Sequence, residues 1–231
     1  RDQQVFPQTV SPDLAKTENL TTGPSGLIER QVIKELLELF NIDQQTLNTQ
    51  GLQITTTIDP QAQEAADDAA GTYLDGQMPE MRTAVVSIDP RTGGVKAYYG
   101  GTDATGFDFA QAGLPTGSSF KVFALVAALE QGMGLGYQVD SSPLKVDDKL
   151  TINNAEGGGC GTCNIAEAIK QSFNTSYYRL MLKLKNGPVD VADAAHRAGI
   201  AESFPGVEYT LSEDGQGGPP APGVVLGKYE T

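Results

Sequence analysis

The sequence predicts an α+β protein, on three observations. Several stretches carry apolar residues at helical spacing, the run Gly51–Ile58 (GLQITTTI) is β-branched, and two β-rich runs flank the turn-forming DPRTGG as an antiparallel pair would. At 231 residues and 39% hydrophobic content, the chain can bury a core as one large domain, or one domain with an appendage. A formal charge of −13 argues against nucleic acid as a partner, because phosphate binding needs clustered Lys and Arg. No apolar run approaches the roughly 20 residues that span a bilayer, and no signal peptide is recognisable at Arg1.

Taken in order, residues 1 to 25 are polar and rich in Pro, Thr and Gly, and read as linker or extended backbone. A helix is expected over about Gly26–Phe40, where Ile28, Val32, Ile33, Leu36, Leu37 and Phe40 form one apolar stripe. Gly51–Ile58 reads as a strand. Asp59 and Pro60 open a helix to about Leu74: an N-cap acceptor, then a proline whose missing N–H costs nothing in the first turn. Arg82–Ile88 and Val95–Tyr99 form the hairpin, and the glycine-rich Gly100–Leu114 crosses to the next helix. Gly132–Gly159 reads as irregular and polar, the rim of a cleft. Asn164 and Glu167 form a capping-box-like pair ahead of a helix, and a second helical stretch ends at Asn186-Gly187-Pro188. No internal repeat is present.

The stretch Pro115–Glu130 (PTGSSFKVFALVAALE) carries the chemistry. From Phe120 to Leu129 every residue is apolar except Lys121, which predicts a helix buried on all sides with one lysine inside it. Burial favours the neutral amine, and a neutral lysine is a base. Ser118 precedes it by three residues, one helical turn away on the same face, where the helix start can support an oxyanion. A base beside a weak nucleophile is what nucleophilic catalysis requires. The structural alternative is a capping serine and a lysine snorkelling outward. A second Ser-x-x-Lys, Ser142 to Lys145, lies in a Pro- and Asp-rich stretch without helical periodicity and reads as a surface coincidence.

The chain has one histidine, His196, which reads as a half-exposed helix residue, so the serine needs another base and Lys121 supplies it. Both cysteines sit in Cys160-Gly161-Thr162-Cys163, too few ligands for structural zinc; a short-loop disulfide in an exported protein and two free thiols both fit. Ser172 falls on the apolar side of the helix it follows and is expected to point inward, with Asn174 two residues on. That pair can relay a proton and hold a carbonyl, or simply cap a turn.

Together GSSFKVF and SFN resemble the first two motifs of the penicillin-binding and serine β-lactamase superfamily. GLQITTTIDPQAQEAA, RTAVVSIDPRTGGVKAYYGG, FDFAQAGLPTGSSFKVFAL and CNIAEAIKQSFNTSYYRL resemble the transpeptidase domain of bifunctional class A penicillin-binding proteins, nearest to the actinobacterial, mycobacteria-like branch. The resemblance covers about Gly51–Thr231 and marks residues 1–50 as a linker and connector from an absent glycosyltransferase domain. It implies a serine β-lactamase/DD-transpeptidase-like α+β fold, an antiparallel sheet with flanking helices plus a helical lobe. It implies that Ser118 is the nucleophile of a D,D-transpeptidase, Lys121 its base, Ser172 a proton shuttle and Asn174 a substrate-binding residue, with no cofactor and no metal. The partners implied are peptidoglycan stem peptides, β-lactams and other cell-wall synthesis or hydrolysis proteins, at the outer face of a membrane that anchors the full-length protein.

The third motif of that family, a Lys-Thr-Gly type strand, is absent; the later Gly227-Lys228 is followed by Tyr229. The resemblance therefore marks this as the amino-terminal part of a domain whose remaining carboxy-terminal part is a partner, and the 231 residues alone are expected to be inactive or unstable. Two alternatives stand beside the transpeptidase. One is a β-lactamase-type hydrolase or D,D-carboxypeptidase, against which stands the lack of a recognisable glutamate motif after Asn174, since Glu202 and Glu208 lie in Gly/Pro-rich surroundings. The other is a non-catalytic penicillin-binding sensor or scaffold.

Overall fold

The structure is a computed structural model, and it describes residues 22–204, 206–213, 215–229 and 231. Most of the expected amino-terminal linker lies outside the described residues. The chain forms two compact units, one ending at Ala112 and one spanning Gly113–Thr231.

In the first unit, helix α1 runs Pro24–Phe40, with proline in its first turn and Asn41 closing it in the left-handed region at φ 54°. Helix α2, Gln44–Gln50, is capped by Asp43, whose carboxylate accepts from the Thr46 N–H. Helix α3 spans Pro60–Leu74 and is capped by Asp59, which accepts from the Gln61 and Ala62 N–H groups, so both ends of this helix fall where the sequence placed them. Strands β1, Val85–Ile88, and β2, Val95–Tyr99, pair antiparallel with Val85 opposite Tyr99 and Val86 opposite Tyr98. Arg82, Thr83 and Ala84, expected in the first strand, precede it.

The run Gly51–Ile58 is not a strand. Its residues are almost all exposed, and its ties to β2 are confined to its end, where Thr57 Oγ1 donates to the Val95 carbonyl (2.8 Å) and the Asp59 N–H to that of Lys96 (2.9 Å). β-propensity records how well a side chain fits a packed, pleated surface, and here no strand ladder provides one. The β2 backbone is satisfied instead by Gln63 on α3, whose amide accepts from the Tyr98 N–H (2.8 Å) and donates to its carbonyl (3.0 Å). Asp108, 6% exposed, accepts from Tyr98 Oη and Gln31 Nε2, both at 2.8 Å, which ties α1 to the hairpin. A Cβ on Gly100 would collide with that carboxylate, so this position needs glycine.

The second unit is mostly helical. A 3-10 turn, Gly117–Phe120, leads into α4, Lys121–Glu130; α5 is Ile165–Lys170, α6 is Asn174–Lys183 and α7 is Pro188–Arg197. Its core joins Phe120, Ala124, Ala127 and Ala128 to Tyr177, Leu180 and Met181 of α6 and to Val191 and Ala195 of α7. Alanine on one face of α4 lets the neighbouring helices approach closely while still removing apolar surface from water. The expectation of burial on every side is overturned on the opposite face, where Val122 is 43% and Leu129 44% exposed.

The stretch Gly132–Gly159 is less irregular than its composition suggests. It holds β3, Gln138–Asp140, β4, Leu144–Lys145, and β5, Thr151–Ile152. Strand β3 pairs antiparallel with β6, Thr162–Asn164, and β4 with β5. Ladders of two or three residues are too short to leave an alternating pattern. Asn164 caps α5 by accepting from the Glu167 N–H at 2.8 Å.

Candidate active site

The 3-10 turn and the start of α4 place an exposed Ser118 beside a Lys121 that is 1% exposed. Lys121 points into the protein because its neighbours Phe120 and Ala124 are buried with it, and its amine ends among oxygens. Nζ lies 2.9 Å from Ser118 Oγ, 3.0 Å from Ser172 Oγ, 2.6 Å from the Ser172 carbonyl oxygen and 2.7 Å from Asn174 Oδ1. Three residues named from the sequence, Ser118, Ser172 and Asn174, thus converge on the amine of a fourth, Lys121.

Ser172 reaches this point by a route the sequence did not indicate. It is not on the inward face of a helix: α5 stops at Lys170, and Ser172 follows in the left-handed region, φ 55°, exposed. That uncommon conformation for a non-glycine residue aims both its hydroxyl and its carbonyl at Lys121. The expectation of a buried serine came from extending helical periodicity past the last turn. Asn174 opens α6 and is held at both ends of its amide, since Nδ2 donates to the Asn153 carbonyl at 3.1 Å while Oδ1 faces Lys121.

The four oxygens differ in what they can do. The Ser172 carbonyl and Asn174 Oδ1 can only accept, whereas each hydroxyl can donate or accept. A neutral amine satisfies both carbonyl-type oxygens with its two N–H bonds and keeps its lone pair for a hydroxyl proton. An ammonium gives its third N–H to a hydroxyl oxygen instead. Both states fit the same positions, so the proton can move without rearranging the site. Burial strips water from the charged form and lowers the Lys121 pKa from 10.5 to about 8. About a tenth of the amine is then neutral at pH 7, against well under a thousandth for a free lysine.

Gly227, at φ 62°, seats against the nucleophile turn: the Gly117 N–H donates to the Gly227 carbonyl at 3.1 Å, and a Cβ on Gly227 would collide with the Gly117 backbone. No motif signalled this contact in the sequence.

The remaining candidates lie elsewhere. Cys160 and Cys163 are joined in a disulfide at the end of the glycine-rich rim. His196 is half-buried on α7, its Nδ1 3.0 Å from the Ile200 carbonyl oxygen, a structural position. Ser142 donates to Asp140 (2.7 Å) and the exposed Lys145 pairs with Asp148 (2.8 Å), so the second Ser-x-x-Lys forms no hydroxyl-amine pair. A concavity of about 720 Å³ lies in the first unit, between α1 and Ile54–Ile58. Its walls carry no serine, cysteine or histidine, so the chemistry is assigned to the polar cluster around Lys121.

Residues 83–216, more than half of the chain, match the model of the penicillin binding protein transpeptidase domain. The chain belongs to the penicillin-binding protein transpeptidase family. It is 75% identical over all 231 residues to penicillin-binding protein 1A of Mycolicibacterium smegmatis and equally so to that of Mycobacterium tuberculosis, spanning 29% and 28% of their lengths. The structure of the PonA1 protein from M. tuberculosis in complex with penicillin V is similar, with 76% identity and a TM-score of 0.88 over 90% of this chain and 55% of that one. These transpeptidase relatives bear out the family and the α+β fold class expected from the motifs.

Proposed function

We propose that this chain contributes the nucleophile and base of a serine acyltransferase that cross-links peptidoglycan stem peptides. The observation that carries the proposal is one buried amine within 3.0 Å of both the Ser118 and Ser172 hydroxyls. Ser118 Oγ attacks the carbonyl carbon of the penultimate D-alanine as its proton passes to Lys121 Nζ. N–H groups in the 3-10 turn that carries Ser118 stabilise the oxyanion, because the first residues of a helical turn have no internal partners for them, whereas the Lys121 N–H is already given to the Ser118 carbonyl. The C–N bond to the terminal D-alanine then breaks while Ser172 Oγ, in contact with the same amine, passes a proton to the leaving nitrogen. The amine of a neighbouring stem peptide attacks the resulting ester, and Ser118 leaves and recovers its proton. The Asn174 amide has a second N–H besides the one directed at Asn153, and we assign it to the substrate carbonyl.

A β-lactam enters the same path and stops at the acyl-serine; the similar M. tuberculosis protein in complex with penicillin V is consistent with this. A hydrolase would need a carboxylate to activate water beside the ester. Among the described residues the side chains bonded to the Lys121 amine are Ser118, Ser172 and Asn174, none of them a carboxylate, and we read the site as one that holds its adduct. We infer that residues 51–231 are the amino-terminal part of the transpeptidase domain and residues 1–50 its connector. The work site is the outer face of the membrane; among the described residues no helix is long and apolar enough to cross one.

The test follows the mass of the full-length protein after exposure to penicillin. The proposal expects one adduct per chain that persists for hours. Turnover within minutes would assign a hydrolase, and no adduct at all would leave a scaffold.

A further inference from the structure

Behind Asn174 lies a polar network that the catalytic assignment does not use, centred on the half-buried Asn154. Its Nδ2 donates to the carbonyls of Ser141 and Gly158, both at 2.8 Å, and its Oδ1 accepts from the Thr175 N–H at 3.0 Å. The Thr175 hydroxyl has one proton and lies 2.9 Å from the Ser141 carbonyl oxygen and 3.0 Å from Asn154 Oδ1. Ser141 Oγ in turn accepts from the Cys160 N–H (2.7 Å) and donates to the Gly161 carbonyl (2.9 Å). Thr175 is fully buried and Ser141 is 2% exposed, so these bonds form out of water, where an unmatched group is costly.

We propose that Asn154 is a positioning residue for the acylation centre, one that sets which end of the Asn174 amide meets Lys121. The inference rests on the reading of Ser118 and Lys121 given above. Asn154 fastens the stretch after β5 to the first turn of α6, and the residue it carries with it is Asn153. The Asn153 carbonyl receives Asn174 Nδ2, and that bond leaves Oδ1 facing Lys121 at 2.7 Å. An amide free to turn over would offer Lys121 an NH2 group, which cannot accept from it. The groups within reach of the amine, Ser118, Ser172 and Asn174, are all uncharged, so the orientation of this one dipole matters to its proton affinity. The disulfide closes the far end of the same loop, beside Ser141.

The experiment measures the second-order rate of acylation by a fluorescent penicillin against pH, on the full-length protein and its Asn154→Ala and Asn154→Asp variants. Aspartate keeps the acceptor for the Thr175 N–H and loses both donations, so it carries the test where alanine perturbs folding. Both variants are expected to acylate about 10- to 100-fold more slowly. The half-maximal pH of Asn154→Ala is expected below that of the parent, because an ammonium that has lost an acceptor gives up its proton more readily, while the added carboxylate of Asn154→Asp opposes that shift and leaves the slowed rate as its readout. A variant that acylates at the parent rate and midpoint would overturn the inference. So would a loss confined to the fraction of active molecules with the midpoint unmoved, which a purely structural role predicts. Failure of the parent protein itself to be acylated would instead overturn the assignment of Ser118.

Discussion

Replacing Lys121 by methionine is expected to slow acylation of Ser118 by about 10²- to 10⁴-fold, the range typical of removing a general base. Methionine has nearly the shape of the lysine stem and no basic group, so Phe120 and Ala124 keep their neighbour while both hydroxyls lose theirs. Stability responds in two opposing ways. The carbonyl-type oxygens of Ser172 and Asn174 lose a donor at 2.6 and 2.7 Å, which destabilises. Below about pH 8 the folded protein also no longer holds an ammonium that burial disfavours, which stabilises. The two offset, and thermal melting is expected to move by only a few degrees, consistent with functional groups being kept at some cost to the fold. Parallel measurements of melting and fluorescent-penicillin labelling check this; labelling at an undiminished rate would remove Lys121 from the mechanism.

Ser118→Ala has a larger effect still, complete loss of the covalent adduct. Ser118 is exposed at the mouth of the site, and its side chain contributes one hydrogen bond, so folding and non-covalent penicillin binding are expected to survive. Intact mass measured after drug exposure reads the result directly. A full adduct on the Ser118→Ala protein would place the nucleophile elsewhere, Ser172 being the nearest alternative at 3.0 Å from the same amine.

What could be read from the sequence was whatever depends on near neighbours in the chain. Asp59 and Pro60 specify a helix start with two residues, and α3 begins there. DPRTGG between β-rich runs specifies a hairpin, and β1 and β2 form it. Ser118 lies in the 3-10 turn that leads into α4 and Lys121, three residues on, opens that helix, so their contact was visible as spacing. Gly51–Ile58 failed because a strand needs a partner that local sequence does not name, and these side chains stay in water. Val122 and Leu129 failed similarly, since hydrophobicity says what prefers burial but not what is present to cover it. The convergence of Ser172 and Asn174 on Lys121 is tertiary and was legible only through the likeness of SFN to a known motif. The left-handed turn at Ser172 and the Asn154 network carried no signal, because a polar residue that bonds three backbone groups looks, in sequence, like one that faces solvent.

The pH dependence of acylation tests most directly whether an amine freed of its proton by burial drives the reaction. Lys121 is charged below about pH 8 and increasingly neutral above it, so the second-order rate for the unmodified full-length protein should climb with pH. Half-maximal rate is expected near pH 8, with a plateau well before the 10.5 of an ordinary lysine. A rate that stays level from pH 6 to pH 9, or falls across that range, would contradict the account.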